Sequence, residues 1–189
     1  MPRLFVAVWP PPEVLDRLEA LARPEIAGLR WTRRDDWHVT LRFLGSVADV
    51  ESVTEALAAA AGSAAVAEAV LGPAVERFGR RVLHVPVAGI DRLASAVVAA
   101  TGSVGRPPDV RPFTGHVTLA RVSEKASIDL RPLTGAAVEG RWPVTEVSLV
   151  RSDLSGPAPS YDVEATFPLS ATVDPSCSSG EGPPSAAAP

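Results

Sequence analysis

The chain has 189 residues, of which 46% are hydrophobic and 21% charged, so it can bury a core as one compact domain or as two small lobes. This composition excludes a fibre and a mainly disordered chain. The formal net charge of -4 excludes bulk coating of duplex nucleic acid, and any nucleic-acid contact must come from a local patch. The single cysteine, Cys177, excludes a disulfide framework and a thiolate metal cluster.

The apolar run Leu4 to Trp9 is too short for a signal sequence, and no run approaches the 18 apolar residues of a membrane span. Together with the lone cysteine, this favours a soluble protein of the cytoplasm that makes no membrane contact.

The first half of the chain predicts two strands, each followed by a helix. Leu4 to Trp9 is a buried strand, and Pro12 to Leu21 has the apolar spacing of a helix with proline in its first turn. Trp37 to Leu44 alternates as a strand. Asp49 is a suitable N-cap for an alanine-rich helix from about Val50 to Ala61.

The second half repeats this cycle of strands and a helix. We expect β-structure over 66–78, broken at Gly72-Pro73, strands at 81–87, 116–122 and 142–151, and a helix at 91–100. The fold class is therefore α/β (α+β), with more strands than helices. From Ala171 onward the sequence is rich in Ser, Pro, Gly and Ala without apolar periodicity, which predicts a disordered tail over 171–189.

The most informative motif is a repeated tetrapeptide. The chain has three histidines, and two of them, His38 and His116, open the identical string HVTL at 38–41 and 116–119. With this chain's own frequencies, chance would give such a pair in about one sequence in 500, so an internal duplication or a shared task is favoured. His84 lies in RVLHVPV without a following H-x-T pattern, which favours a packed structural histidine.

Within each copy, strand geometry sends His and Thr to one face and Val and Leu to the other. If the two strands are neighbours or are related by a pseudo-twofold axis, two imidazoles and two hydroxyls converge on one cavity. One imidazole can accept a proton while the other donates one, because the histidine pKa of about 6.5 lies near working pH. The hydroxyls of Thr40 and Thr118 suit the non-bridging oxygens of a phosphate.

Arginines complete the pattern for a phosphate-ester substrate. Arg42 follows the first copy on the polar face, and Arg121 follows the second copy at the expected end of its strand. Guanidinium groups bind phosphate through paired, charge-assisted hydrogen bonds.

With these residues, the sequence resembles the 2H phosphoesterase superfamily and, within it, the RNA 2',3'-cyclic phosphodiesterases, also called 2'-5' RNA ligases. The resemblance covers residues 1–170 and implies a single bilobal domain, with two pseudo-symmetric sheet-plus-helix lobes around a central cleft. Its specific elements are the opening strand, Trp31, HVTLRFLG at 38–45, HVTLARV at 116–122, and Tyr161 after the Gly156-Pro157 loop.

The resemblance implies hydrolysis of cyclic phosphate ends to a 2'-phosphate, with a reverse reaction that joins RNA ends through a 2'-5' linkage. It makes His38 the proton donor and His116 the proton acceptor, with Thr40, Thr118 and Arg121 on the phosphate. Phe43 matches a family position, although strict alternation would turn it towards the core. The residue before His116 is Gly115, where the family usually has proline.

The partners implied are RNA with a 2',3'-cyclic phosphate end or a cyclic nucleotide, bound by a protein that we expect to be a monomer. No cofactor and no metal are expected, since each H-x-T motif supplies only one good ligand. Two alternatives stay open: action on another small cyclic or 2',5'-linked nucleotide, and a non-catalytic module that binds RNA ends.

Several residues outside the motifs leave two interpretations open. The basic clusters Arg30, Arg33, Arg34 and Arg77, Arg80, Arg81 are equally typical of solvated charge and of contacts to an RNA backbone. Trp31, Trp37 and Tyr161 are candidates for stacking on an unpaired base, although core packing is as good an interpretation for the two tryptophans.

Overall fold

A computed structural model describes residues 1–153, 155–156 and 159–170, and these residues form ten strands and three α-helices. The strands are β1 (Arg3–Val8), β2 (Leu29–Trp31), β3 (Val39–Ser46), β4 (Ala67–Leu71), β5 (Glu76–Phe78), β6 (Val82–Ala88), β7 (His116–Val122), β8 (Gly140–Val144), β9 (Glu146–Asp153) and β10 (Ser160–Pro168). The helices are α1 (Pro12–Glu19), α2 (Val50–Ser63) and α3 (Asp91–Ala100).

The helices begin where the sequence predicts. In α1 proline occupies the first turn, and Val14 and Leu18, one turn apart, are buried. In α2 the side chain of Asp49 accepts a hydrogen bond from the backbone N–H of Ser52, as expected for an N-cap. The predicted helix over 91–100 is also confirmed, with Leu93, Ala94 and Val97 facing the core.

Most predicted strands are confirmed, and one is corrected. The segment 142–151, expected to be one strand, belongs to two strands that break at Thr145, because β8 pairs with β4 while β9 pairs with β1 and β10. Strands β2 and β10 were not predicted. The predicted disordered tail, 171–189, and Pro157 of the predicted loop lie outside the described residues.

Every named strand pair is antiparallel, and the sheet has the order β10-β9-β1-β3-β7-β6-β4-β8, with β2 on β7 and β5 on β6. The two HVTL strands, β3 and β7, are neighbours at its centre. They share a single register pair, Val39 with Val117, which are the second residues of the two copies. A local twofold axis therefore passes between these valines.

The helices cover the back of the sheet and link its two halves. Helix α1 packs on β8, and α3 packs on β3, so each of these helices contacts a strand from the other half of the chain. A single hydrophobic cluster includes buried side chains of both halves, from Leu4 and Leu44 to Leu83 and Trp142. In the described part of the chain, no helix has the length and apolarity needed to cross a bilayer.

Candidate active site

The two copies of HVTL place their polar side chains in one cleft. Val and Leu of each copy are buried, whereas His38, Thr40, His116 and Thr118 are half-buried. These four polar side chains line a cavity of about 440 Å³, as strand alternation predicts. Because β3 and β7 run antiparallel about Val39 and Val117, each histidine lies across the seam from the threonine of the other copy.

Both imidazoles are fixed by the same local hydrogen bond. Nδ1 of His38 lies 2.7 Å from the carbonyl oxygen of Asp36, and Nδ1 of His116 lies 2.8 Å from that of Thr114, each two residues upstream. A carbonyl oxygen can only accept, so Nδ1 carries the hydrogen in both rings. Nε2 is then the nitrogen left for a ligand in each case.

Aromatic rings enclose His38. The ring centroids of Phe5, Trp9 and Tyr161 lie 4.9, 5.4 and 5.1 Å from the centroid of its imidazole. The Tyr161 ring meets both His38 and Phe5 edge to face, and Tyr161 lines the cleft from β10. These rings restrict the orientation of the imidazole and displace water from it.

His116 has a different set of neighbours. The Phe78 ring meets it edge to face at a centroid distance of 4.9 Å, and His84 lies 5.5 Å away. His84 is itself buried and stacks on Phe78 at 3.7 Å, which supports the prediction that it is a packed side chain.

Burial makes both cleft imidazoles weak bases. The pKa of His38 is lowered to about 4, mainly by burial and to a smaller extent by the nearby charges of His116 and Arg121, although a hydrogen bond to the carbonyl of Asp36 raises it. Burial also lowers the pKa of His116, with a smaller contribution from Arg121. Both rings are therefore neutral at pH 7 in the empty cleft.

Arg121 lies in the cleft beside the second motif, as predicted. Its guanidinium donates a long hydrogen bond of 3.5 Å to Oγ1 of Thr118, and it has no ion-pair partner among the described residues. Arg3 adds a second guanidinium to the cleft, where the carboxyl of Asp36 is the acidic group. Burial raises the pKa of Asp36. The cleft is suited to an anion.

Arg42 does not reach the cleft, which corrects its predicted placement. It is only 5% exposed, and its guanidinium donates hydrogen bonds to Oγ1 of Thr101 and to the carbonyls of Val98, Val104 and Arg106. The reason is a register shift in β3, opposite Val6 and Ala7, that leaves Leu41 without a partner on β1. A β-bulge of this kind reverses the alternation, so Leu41 and Arg42 both turn inward.

The same bulge returns Phe43 to the cleft, where simple alternation would have buried it. Phe43 is 38% exposed and lines the cavity. The Arg3 guanidinium lies over its ring, 5.3 Å from the centroid. The resemblance marked this position, whereas simple alternation would not have placed it in the cleft; its role in binding substrate stays a prediction.

The two candidate tryptophans do not line the cleft. Trp37 is buried, with the Arg23 guanidinium 5.1 Å from its ring centroid, and Trp31 donates a hydrogen bond to the carbonyl of Pro24. Sequence reasoning also missed cleft residues that no motif marks: Arg3, Phe5, Thr32, Asp36, Ser152 and Pro159. They come from several segments that only the sheet topology brings together.

The fold and the paired motifs agree with what known proteins show. The chain is similar to the solved structure of TT0787 from Thermus thermophilus, with 28% identity, a TM-score of 0.75, and coverage of 88% of this chain and 97% of that one. It is also similar to Escherichia coli LigT complexed with 3'-AMP, with 26% identity, a TM-score of 0.67, and coverage of 89% and 98%.

A curated relative, the RNA 2',3'-cyclic phosphodiesterase of Geobacillus stearothermophilus, is 31% identical over 182 residues. The match covers 90% of this chain and 57% of the relative, so the chain spans little more than half the length of that protein.

These similarities confirm the predicted fold class, the α/β fold of the 2H phosphoesterases. The model of the 2'-5' RNA ligase superfamily matches residues 10–156, and the chain belongs to that family.

Proposed function

We propose that this chain hydrolyses 2',3'-cyclic phosphate ends of RNA to 2'-phosphates, with one imidazole as general base and the other as general acid. The observation that carries the proposal is the pairing of His38 and His116 in one cleft, each held through Nδ1 with Nε2 left for substrate. Family membership and the name of the Geobacillus relative support the choice of substrate.

In the proposed reaction, Nε2 of His116 takes a proton from water, and the water oxygen forms a bond to phosphorus. The bond from phosphorus to the 3' oxygen breaks, and His38 gives its Nε2 proton to that oxygen. The products are a 2'-phosphate and a free 3'-hydroxyl. Because attack is in line, base and acid must lie on opposite sides of the phosphorus, and side chains from the two halves of the sheet suit this requirement.

The remaining cleft groups stabilise the phosphate. The Thr40 and Thr118 hydroxyls can donate to its non-bridging oxygens, and Arg121 neutralises charge that builds on them. The bound anion also favours the protonated form of His38, because a negative charge close to an imidazole raises its pKa. Bound substrate therefore stabilises the imidazolium form that His38 needs to act as the acid, with the proton taken up from solvent.

Ligation would use the 5'-hydroxyl of a second RNA end in place of water: its oxygen bonds to phosphorus, the bond from phosphorus to the 3' oxygen breaks, and the two ends are joined through a 2'-5' linkage. His116 would take the proton of the 5'-hydroxyl, and His38 would give a proton to the 3' oxygen. We further propose that the protein is a cytoplasmic monomer. Light scattering coupled to size-exclusion chromatography tests the monomeric state, and a dimer would contradict it.

The proposed reaction needs no metal, because proton transfer by two imidazoles and charge neutralisation by Arg121 supply its chemistry. In the described part of the chain, no three His, Cys, Asp or Glu side chains are grouped as metal ligands. We expect hydrolysis to continue at an unchanged rate in EDTA. Loss of activity that zinc or manganese restores would contradict the proposal.

Alanine at position 38 or 116 tests the mechanism. We expect His38→Ala and His116→Ala each to lower kcat by about 10²- to 10⁴-fold on an RNA oligonucleotide with a 2',3'-cyclic end, since each removes one proton-transfer group. Thermal unfolding of each variant checks that the fold persists. Retention of most activity by either variant would rule out the role assigned to that histidine.

The product and the substrate panel separate the alternatives. Phosphorus NMR of the product should show a 2'-phosphate, and a 3'-phosphate would contradict the direction of cleavage. Faster turnover of cyclic mononucleotides or 2',5'-linked dinucleotides than of RNA ends would favour action on small nucleotides. Binding of the RNA end without turnover would favour a non-catalytic module.

A further inference from the structure

A second, basic cavity lies at the hairpin between β5 and β6. It has a volume of about 290 Å³ and is formed by the hairpin together with the loop around a short 3₁₀ turn, Arg131–Leu133. We call it the basic pocket, and its charged and polar lining residues are Arg77, Arg80, Ser127, Asp129 and Arg131.

Two of its three guanidinium groups form no ion pair among the described residues, and Asp129, which pairs with Arg131 and also feels the charge of Arg77, is the one carboxylate that lines the pocket. Arg131 forms a bidentate ion pair with Asp129: its Nε lies 2.9 Å from Oδ1 and its Nη2 lies 2.9 Å from Oδ2. Arg77 donates to the carbonyl of Gly79 and has no carboxylate partner within the described residues. In the same part of the chain, Arg80 has neither a hydrogen-bond nor an ion-pair partner. The basic pocket thus keeps a net positive charge that can attract an anion.

In the other basic cluster, before the first histidine motif, two arginines form ion pairs with carboxylates. Both terminal nitrogens of Arg34 lie 2.6 Å from carboxylate oxygens, of Asp16 and of Glu19, and Arg33 lies 3.6 Å from Asp35. These charges are largely compensated inside the protein. The sequence could not distinguish the two clusters, whereas the ion pairs leave the β5–β6 hairpin as the stronger anion site.

The basic pocket is connected to the cleft by neighbouring strands. Phe78 pairs with Val82 across β5 and β6, and Val82 pairs with Arg121 across β6 and β7. Two strand spacings, or about 10 Å, therefore separate the backbones of Phe78 and Arg121. Phe78 is 37% exposed and its ring contacts His116, while Arg77 is its neighbour on the same strand.

We propose that the basic pocket binds a phosphodiester group of the RNA backbone, upstream of the end held in the cleft. This proposal rests on the proposed function. The RNA strand would leave the cleft past His116 and Phe78, round the exposed edge strand β5, and meet the guanidinium groups of Arg77 and Arg80. The interaction is electrostatic and independent of sequence, so it favours longer RNA over a mononucleotide and weakens with salt.

The test compares two double variants that each remove two positive charges. Arg77→Gln/Arg80→Gln alters the basic pocket, and Arg17→Gln/Arg141→Gln removes two arginines from α1 and β8 that line neither cavity. For each protein, kcat/KM is measured on 2',3'-cyclic CMP and on a single-stranded oligonucleotide with a 2',3'-cyclic end. The measurement is repeated at several salt concentrations.

We expect the ratio of kcat/KM for the oligonucleotide to kcat/KM for cyclic CMP to fall about tenfold in the pocket variant and to stay constant in the control. The dependence of log kcat/KM for the oligonucleotide on log salt should become shallower, by about 0.7 for each phosphate that the variant no longer neutralises. An unchanged ratio and salt slope, or the same changes in the control, would overturn the proposal.

A binding measurement separates this proposal from the proposed function. If the unaltered protein hydrolyses neither substrate, the proposed function fails, and fluorescence anisotropy with a 3'-phosphorylated oligonucleotide then tests the basic pocket directly. Salt-sensitive binding that is weakened only in the pocket variant would support the pocket. Equal affinity of both variants, or no binding by the unaltered protein, would overturn it.

Discussion

The two cleft imidazoles are held by the same kind of hydrogen bond to the backbone. In each motif, Nδ1 of the histidine bonds to the carbonyl two residues upstream, so the repeat extends from the tetrapeptide to the backbone that precedes it. The sequence predicts the pair of histidines and the face on which they lie. It does not predict the tautomer, because that depends on the backbone path before each strand, where Asp36 and Thr114 have different neighbours.

The pH dependence of the reaction follows from the lowered pKa values. The proposed mechanism requires a neutral His116 and a protonated His38 in the free protein. The pKa of His38 is about 4, and that of His116 lies below its usual 6.5. The active form is then most abundant between these values, so kcat/KM should have a bell-shaped profile with its maximum on the acid side of pH 7. The kcat profile should lie at higher pH, because bound phosphate stabilises an imidazolium.

Steady-state rates from about pH 4 to 9, a range that spans both imidazole titrations, measure the two profiles on 2',3'-cyclic CMP. A kcat/KM maximum above pH 7 would contradict the lowered pKa values, and a flat profile would contradict the two-histidine mechanism.

Arg42 is a structural residue, and its replacement should show this. Arg42→Met leaves the hydroxyl of Thr101 and three backbone carbonyls without their donor, so we expect a loss of about 3 kcal/mol in the free energy of unfolding. For a chain of this length the thermal midpoint should fall by about 10 °C. Scanning calorimetry measures it.

Arg141→Met is the matched control, since Arg141 is exposed and pairs with an exposed Glu68, so its removal should cost less than about 1 kcal/mol. Equal destabilisation by both substitutions would contradict the structural role of Arg42. So would a collapse of kcat/KM in Arg42→Met measured well below its thermal midpoint.

At the scale of single elements, simple alternation succeeds where a strand is regular and fails at irregularities. It placed the histidines and threonines, but the bulge in β3 reversed it for Arg42 and Phe43. The break at Thr145 was missed because the apolar pattern continues on both sides of it. β10 was missed although its apolar residues, Tyr161, Val163, Ala165 and Phe167, alternate with polar ones. Most of this edge strand is exposed, and a register shift between Val163 and Ala165 interrupts its pairing with β9.

The start of β7 depends on a glycine that the backbone requires. Gly115 is buried, its carbonyl accepts a hydrogen bond from Val87 N–H at 2.8 Å, and a Cβ at this position would overlap the carbonyl oxygen of Val87. Where the family usually has proline, this chain therefore uses close backbone packing to fix the residue before His116.

Alanine at position 115 should force β7 away from β6 and shift His116. We expect Gly115→Ala to lower kcat/KM on 2',3'-cyclic CMP by at least about tenfold, because a displacement near 1 Å disturbs the alignment of a proton-transfer group. Steady-state kinetics together with circular dichroism measure activity and folding.

Gly62→Ala is the control for that experiment. Gly62 lies within α2 and its added Cβ would meet no atom within 4 Å, so activity should be kept and stability should rise slightly. Full activity of Gly115→Ala would contradict the importance of this packing for His116.

At the scale of the whole molecule, the two halves of the sheet exchange their helices. Helix α1 lies on β8, where Val14 leaves little room for a side chain at position 140, and α3 lies on β3, where Arg42 donates to Oγ1 of Thr101. Sequence periodicity shows that these helices are amphipathic, but it carries no information about which strand each will cover. Those contacts join residues far apart in the chain, so they could not be predicted from local pattern.

This exchange should make unfolding a single cooperative event. Neither half can keep its apolar face covered without a helix from the other, so we expect one thermal transition with coincident fluorescence and circular dichroism profiles. Two separated transitions would contradict this description.

Inorganic phosphate at about 100 times its dissociation constant should stabilise the fold by about 2.7 kcal/mol if it binds only the native state. A thermal midpoint that phosphate does not change would contradict binding of the anion to the native protein.

The single register pair between β3 and β7 has a consequence for how the cleft can be adjusted. With so little hydrogen bonding along the seam, the packing of α3 against β3 helps to hold the two strands in place. A conservative change of size at Val97, a buried residue of α3 behind β3, should therefore alter turnover without touching any group that meets the substrate. Selection for faster or slower variants would therefore find mutations in the core behind the sheet, away from the cleft.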